Sequence, residues 1–197
     1  MALTLITAPA IEPVLIADAK VHLRIPSAVT ADDTYITALI VVARQWIENY
    51  TNRSLITQTW DWTMDSFPRF PVKVPKSPLQ SVTNIKYYDT DDTEATWDSD
   101  YYAVDIASTP GRIDIAYGCA TPSVSLRYMN GVVVRFIAGY GLAAANVPTN
   151  VIHAIKVMIS HYYEYREPVL STFRGEALSE VPLTVYSLLA NERIQPL

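Results

Sequence analysis

The sequence contains a single cysteine, Cys119, among 197 residues. A disulfide within the chain is therefore excluded, and so is a structural zinc site built on two or more cysteines. Charged residues are also scarce, at 18%, whereas hydrophobic residues make up 50%. This balance excludes disorder as the main state and is sufficient for one folded domain, or for one domain that carries an insertion.

Long apolar runs are absent as well. No stretch approaches the ~20 residues that are needed to cross a bilayer, and the N-terminal residues 1–4 lack the basic segment of a signal peptide. We therefore expect a soluble protein that is not exported and has no membrane partner.

Positive charge is in deficit, because the net charge is -5 and the sequence pI is about 5.1. A negative surface opposes the binding of DNA phosphates that basic proteins achieve by releasing counterions. The charge thus disfavours a module that grips DNA. It is compatible with a channel wall past which DNA slides without specific binding.

Apolar residues spaced three and four apart predict four helices. The first covers residues 15–24 and ends before Pro26. The second starts at Asp32 and Asp33, whose side chains favour a helix start, and ends near Asn52, which tolerates a left-handed backbone. The third opens at residues 147–150 and runs to about Arg166, and the fourth covers 183–193.

Alternation with a period of two predicts strands between the helical regions. These cover residues 56–64, 79–88, a stretch near Trp97, and residues 101–106, 112–116 and 131–138. Four prolines between residues 68 and 78 predict an edge or a connecting segment, since proline cannot donate to a sheet. Residues 169–181 are expected to form a loop.

The fold class predicted from this order is α+β, a small helical bundle made by the N- and C-terminal helices with an inserted antiparallel β block. Residues 1–53 and 147–197 form the predicted helical domain. Residues 54–146 form the β-rich insertion.

Groups that could perform catalysis are few and stand in no known motif. His161 and Glu164 lie about one helical turn apart, yet the second histidine of a zinc helix is missing, so a surface contact is favoured. The acidic run from Asp89 to Glu94 lacks the spacing of a calcium loop and is typical of a hairpin turn. Gly139 and Gly141 lack the rest of a phosphate-binding motif and indicate a turn.

Several segments, taken in order, resemble the head-tail connector (head-completion adaptor) family of tailed bacteriophages, prophages and gene transfer agents, in its long form with a β insertion. The matching segments are residues 18–24, 32–33, 43–53, 55–60, 78–89, 110–113, 136–141, 147–148 and 161–167. Members of that family often carry glycine where Asn52 stands. The segment 169–181 matches nothing in the family pattern.

The resemblance implies a non-enzymatic structural virion protein with no cofactor. It implies a dodecameric ring of copies of this chain below the portal protein, which extends the DNA channel and docks a neck, stopper or tail-terminator protein. The location implied is the head-tail junction of the virion, and the bacterial host cytoplasm during assembly. Thirteen tyrosines and four tryptophans also favour a subunit role, because both residue types are enriched at protein interfaces.

Docking to the portal or to neighbouring subunits is assigned to the C-terminal segment, where a short apolar helix ends in a tail. The residues assigned are Leu188, Leu189, Arg193, Ile194, Pro196 and Leu197. No catalytic, cofactor-binding or metal-binding residue is assigned. One alternative is a ligand- or carbohydrate-binding β module that uses Trp60, Trp62, Trp97 and the tyrosines. Another is a metal-dependent hydrolase that uses His153, His161, Glu164 and aspartate residues.

Overall fold

The structure is a computed structural model that describes residues 1–166 and 182–195. The chain divides into two compact units. A β unit contains residues 1–10 and 52–140, and a helical unit contains residues 11–51 and the described residues from 141 to 195.

The helical unit has four α-helices in its described residues. They are α1 (Ile16–His22), α2 (Asp33–Thr51), α3 (Thr149–Glu164) and α4 (Leu183–Leu189). Helix α2 packs against α1 and α3, and α3 also packs against α1 and α4. Asn52 follows α2 with a φ of 56°, so the predicted left-handed residue after this helix is confirmed.

The core of the helical unit is formed by the apolar stripes that the periodicity predicted on α2 and α3. Its buried side chains are Val14, Ala19, Ile36, Leu39, Ile40, Ala43, Ile47, Val147, Val151, Ala154, Ile155, Met158, Ile159, Val185 and Leu189. Trp46 and Tyr50, which the same pattern placed on the apolar face of α2, are only half-buried.

A buried ion-pair network accompanies this core. The Arg44 side chain donates to Glu48 Oε2 and to Glu12 Oε2, each at 2.7 Å, and Arg44 and Glu48 are each only 6% exposed. Burial lowers the pKa of Arg44, but the hydrogen bonds and charges of the two glutamates outweigh it and raise that pKa above its ordinary value. Each buried charge of this network therefore has a partner of opposite charge.

The β unit has eight strands in its described residues. They are β1 (Ala2–Thr7), β2 (Gln58–Met64), β3 (Val72–Lys73), β4 (Leu79–Tyr88), β5 (Glu94–Trp97), β6 (Tyr102–Asp105), β7 (Arg112–Ile115) and β8 (Val132–Ala138). One sheet has the order β1-β2-β8-β4-β5 and the other has the order β3-β7-β6. All the pairings between these strands are antiparallel.

The two sheets share one apolar core. It contains the inward faces of β2, β4 and β8, with β7 and Trp97 contributing from the other strands. On β8, Val132, Val134, Phe136 and Ala138 are buried and alternate with half-buried residues, as a strand with one core-facing side requires. Gly139 then turns the chain with a φ of 139°, where a Cβ atom would lie 2.6 Å from the Ile56 carbonyl oxygen.

The predicted fold class is confirmed, because the described residues combine four helices with two antiparallel sheets. The first strand was not predicted. Residues 1–53 were all assigned to the helical domain, whereas β1 pairs with β2 and places residues 1–10 in the β unit. Pairing with a strand about sixty residues away along the sequence leaves no local signal, which explains the difference.

Candidate docking surface

The structure places the six residues of the predicted docking segment in different environments. Leu189 is 0% exposed and belongs to the core of the helical unit, so its side chain is not available to a partner. Leu188 and Ile194 are half-buried, and Arg193 is exposed. Pro196 and Leu197 lie outside the described residues.

Three aromatic rings form a cluster beside this segment. Trp46 and Tyr50, one turn apart on α2, stack with ring centroids 5.1 Å apart and an interplanar angle of 9°. Tyr186 of α4 meets both rings edge-on, at 5.8 Å from Trp46 and 5.3 Å from Tyr50. All three side chains are half-buried, so each ring contributes to packing and also to the surface.

Arg193 extends this cluster. Its guanidinium lies 4.7 Å from the centroid of the Tyr50 ring, within the range of a cation–π interaction. We call the four side chains Trp46, Tyr50, Tyr186 and Arg193 the aromatic surface. Tryptophan, tyrosine and arginine are the residue types that most often dominate the energy of protein interfaces, so the chemistry of this surface suits a protein partner.

Hydrogen bonds fix the C-terminal segment that carries Arg193. The Ile194 amide donates to the Thr51 carbonyl oxygen at 3.0 Å, which satisfies one of the free carbonyls at the end of α2. The Asn150 side chain of α3 donates to the Leu188 carbonyl oxygen at 3.1 Å and to Glu192 Oε1 at 3.2 Å. The segment is thus held on both α2 and α3.

The opposite end of α2 carries a second cluster, made of Asp32, Tyr35, Tyr163 and Arg166. Tyr163 donates to Asp32 Oδ2 at 2.5 Å, and the Arg166 guanidinium lies 4.6 Å from the Tyr35 ring centroid and 4.9 Å from the Tyr163 ring centroid. The hydrogen bond from Tyr163 lowers the pKa of Asp32, and the same bond raises the pKa of Tyr163. The helical unit therefore has a tyrosine–arginine cluster at each end of its longest helix.

The residues proposed for a metal-dependent hydrolase are not brought together. His153 packs against His22, with ring centroids 6.1 Å apart, and His161 packs against Tyr162 and Tyr165. His153 and His161 lie about 12 Å apart along α3. Within residues 1–166 and 182–195, no three histidine, cysteine, aspartate or glutamate side chains are arranged to hold a metal ion.

Two of the three tryptophans proposed for saccharide binding belong to the β unit's interior. Trp62 is 7% exposed and Trp97 is 4% exposed. Trp60 is half-buried, and its indole N–H donates to Ser54 Oγ at 3.1 Å. Stacking on a sugar needs an open ring face, so Trp62 and Trp97 are not available for it.

The acidic run forms the predicted hairpin turn. Asp89 Oδ1 accepts from the amides of Asp91 and Thr93, each at 2.9 Å, and Asp92 has a φ of 61°. Side-chain acceptance of nearby amides is the reason that aspartate favours turns.

The comparisons with known proteins bear on the whole chain. The sequence model of the family described as phage gp6-like head-tail connector protein matches residues 14–109. The resemblance to head-tail connectors is confirmed. A search of curated proteins finds no match.

Solved structures of gene transfer agent particles contain chains with a similar fold. A chain from the neck of an empty particle, computed with C6 symmetry, is 22% identical with a TM-score of 0.79, and the match covers 100% of this chain and 97% of that one. A chain from the virion of a native particle is 21% identical with a TM-score of 0.79 and the same coverage. A chain from the neck of a native particle, computed with C12 symmetry, is 22% identical with a TM-score of 0.71 and again the same coverage.

Among the described residues, no helix combines the length and the apolar character that spanning a membrane requires. The sequence had pointed to the connector family through ordered segments, whereas the aromatic surface was not predicted. The only sequence signal for this surface was the spacing of Trp46 and Tyr50, and the helical pattern assigned both residues to the core face of α2.

Proposed function

We propose that this chain is a structural connector of the head-tail junction. The observation that carries the proposal is the match of residues 14–109 to the head-tail connector family. The connector fold shared with chains from gene transfer agent necks supports the same conclusion. The proposal is structural and assigns no reaction to the chain.

The finer proposal is a dodecameric ring below the portal protein, with the DNA channel through its centre and a neck, stopper or tail-terminator protein on its far side. A subunit in a closed ring needs two different contact surfaces, because each copy meets its neighbours head to tail. The clusters at the two ends of α2 supply two such surfaces in the helical unit. The net charge of -5 suits a channel that DNA passes without adhering.

Docking to the portal or to a neighbouring subunit is proposed for the aromatic surface together with Leu188 and Ile194. Pro196 and Leu197, which follow Ile194 closely in the sequence, remain part of the proposed docking segment. Leu189 is assigned to the core, because it has no exposed surface.

The direct experiment is electron microscopy of heads that carry the portal, with and without this chain. A ring of density at the portal vertex, present only when the chain is supplied, is the expected result. Heads that bind tails equally well without the chain would overturn the proposal. Solution mass is a weaker test, since a ring can require the portal to assemble.

Charge reversal tests the docking surface. Arg193→Glu removes the cation that lies on Tyr50 and should reduce attachment to portal-bearing heads by about tenfold or more. The matched control is Arg69→Glu, which makes the same charge change at an exposed position of the β unit. Equal attachment of the two variants, with unchanged circular dichroism, would contradict the assignment of this surface.

A further inference from the structure

The β unit presents two large side chains to solvent at the tip of a tight turn before β8. Tyr128 is 91% exposed and Met129 is 64% exposed. Scattered exposed apolar residues are ordinary on protein surfaces. Two adjacent large ones on one turn form a larger apolar patch, and side-chain and backbone contacts hold that turn in place.

Arg127 holds the turn from one side. Its guanidinium donates to the Asn130 carbonyl oxygen through Nε at 3.0 Å and through Nη2 at 2.7 Å, which closes a loop around Tyr128 and Met129. The same guanidinium lies 4.1 Å from the centroid of the Tyr88 ring. One side chain thus fixes both ends of the two-residue tip.

The backbone on both sides of the tip is also paired. The Arg127 amide donates to the Tyr88 carbonyl oxygen at 3.1 Å, and the Tyr88 amide donates to the Gly131 carbonyl oxygen at 2.9 Å. Asn130 has a φ of 57°, and its amide donates to Asp65 Oδ1 at 3.0 Å. The tip is therefore already ordered in the folded chain. A partner that binds it does not have to reduce its conformational entropy further.

The surroundings of the tip are acidic. Asp65 holds the Asn130 amide, Asp92 Oδ1 lies 3.2 Å from Arg127 Nη1, and Asp89 forms a β-bridge with Leu126 next to the turn. Arg127 is the one cation in these contacts, and Asp92 is its ion-pair partner. The remaining carboxylates leave the rim negative.

From this geometry we propose that the Tyr128–Met129 tip is an anchor that inserts into an apolar pocket on another protein, and that basic residues line the rim of that pocket. The acidic rim favours such a surface and repels DNA. An equivalent acidic tip on a second copy of this chain would be repelled in the same way. The inference rests on the proposed function only for the choice of particle in which it is tested.

The experiment replaces Tyr128 with photoreactive benzoylphenylalanine in assembled particles. The matched control carries the same replacement at Tyr117, which is fully exposed on another loop of the β unit. Irradiation should cross-link position 128 to one peptide of a different particle protein, identified by mass spectrometry and flanked by lysine or arginine. Cross-links mainly to DNA or to this chain itself, or no yield above the control, would refute the proposal.

A second variant gives a functional readout. Tyr128→Ser combined with Met129→Ser should lower the yield of complete particles by about tenfold or more, with unchanged circular dichroism, because anchor residues carry most of the energy of an interface. An unchanged yield would count against the anchor. Electron microscopy of wild-type particles separates the two proposals. A normal ring of this chain whose tip contacts no other protein would refute only the anchor. Particles in which this chain is absent would refute the connector function.

Discussion

Two neighbouring leucines on α4 allow a sharp test of the helical unit. Leu189 is 0% exposed, whereas Leu188 is half-buried and contacts α3 through its backbone carbonyl, which a substitution retains. Replacing a buried leucine with alanine costs about 2–5 kcal/mol, because apolar transfer energy is lost and a cavity is left. Helix α4 has seven residues and can partly relax around the cavity, so we expect about 2–3 kcal/mol for Leu189→Ala.

The same substitution at Leu188 should cost about 1 kcal/mol or less, since only part of that side chain leaves water on folding. For a chain of this size, the expected fall in Tm is roughly 5–10 °C for Leu189→Ala and about 3 °C or less for Leu188→Ala. Scanning calorimetry measures both values. Amide hydrogen exchange in α3 shows whether the loss lies in the helical unit.

The two variants should rank in the opposite order when attachment to portal-bearing heads is measured under conditions where both are folded. Leu188→Ala should weaken attachment at a temperature where both variants are folded, and Leu189→Ala should not. A larger loss of Tm for Leu188→Ala, or equal losses for the two, would refute the placement of Leu189 in the core.

Three further predictions concern the buried network, a histidine and a glycine. Glu48→Ala should cost about 3 kcal/mol in the free energy of unfolding, because it removes a buried partner of Arg44. Burial and nearby positive groups lower the pKa of His22, so the stability that neutral His22 provides should be present above about pH 6.5 and lost as the pH falls through the lower folded pKa. Gly139→Ala should cost about 3 kcal/mol or more, because its Cβ atom would meet a carbonyl oxygen at 2.6 Å in a left-handed backbone.

Urea unfolding measures each of these, and each has its own control. Glu12→Ala removes the more exposed partner of the network and should cost less than Glu48→Ala, so the reverse order would contradict the burial argument. His22→Gln should flatten the pH dependence between pH 8 and pH 5, and an unchanged slope would exclude His22 as its source. Gly118 has a φ of 78° but open space around it, so Gly118→Ala should cost only about 1–2 kcal/mol, and equal costs at the two glycines would exclude the clash.

The secondary structure was largely predictable from local patterns. Strand β4 matches its prediction at both ends, and α2 and α3 differ from theirs by two residues or fewer at each end. The periods of two and 3.6 arise from which side chains face a core, and that is a property of the local sequence. The resemblance to head-tail connectors was also accessible, since the ordered segments run along the chain.

The sites were less predictable. Burial of Leu189 depends on how α4 packs on α3, and an apolar residue in a short helix has the same pattern whether it faces the core or a partner. Residues 167–181, which include the predicted loop at 169–181, lie outside the described residues, so that prediction stays untested.

The sequence by itself determined the helices, most of the strands, the α+β class and the resemblance to the connector family, because each is encoded in spacing and order along the chain. Only the tertiary structure brought β1 to β2, joined Tyr186 and Arg193 to Trp46 and Tyr50, and fixed Tyr128 and Met129 at an exposed tip. These arrangements join residues far apart in the sequence. Chain folding sets such distances, and a one-dimensional pattern does not contain them.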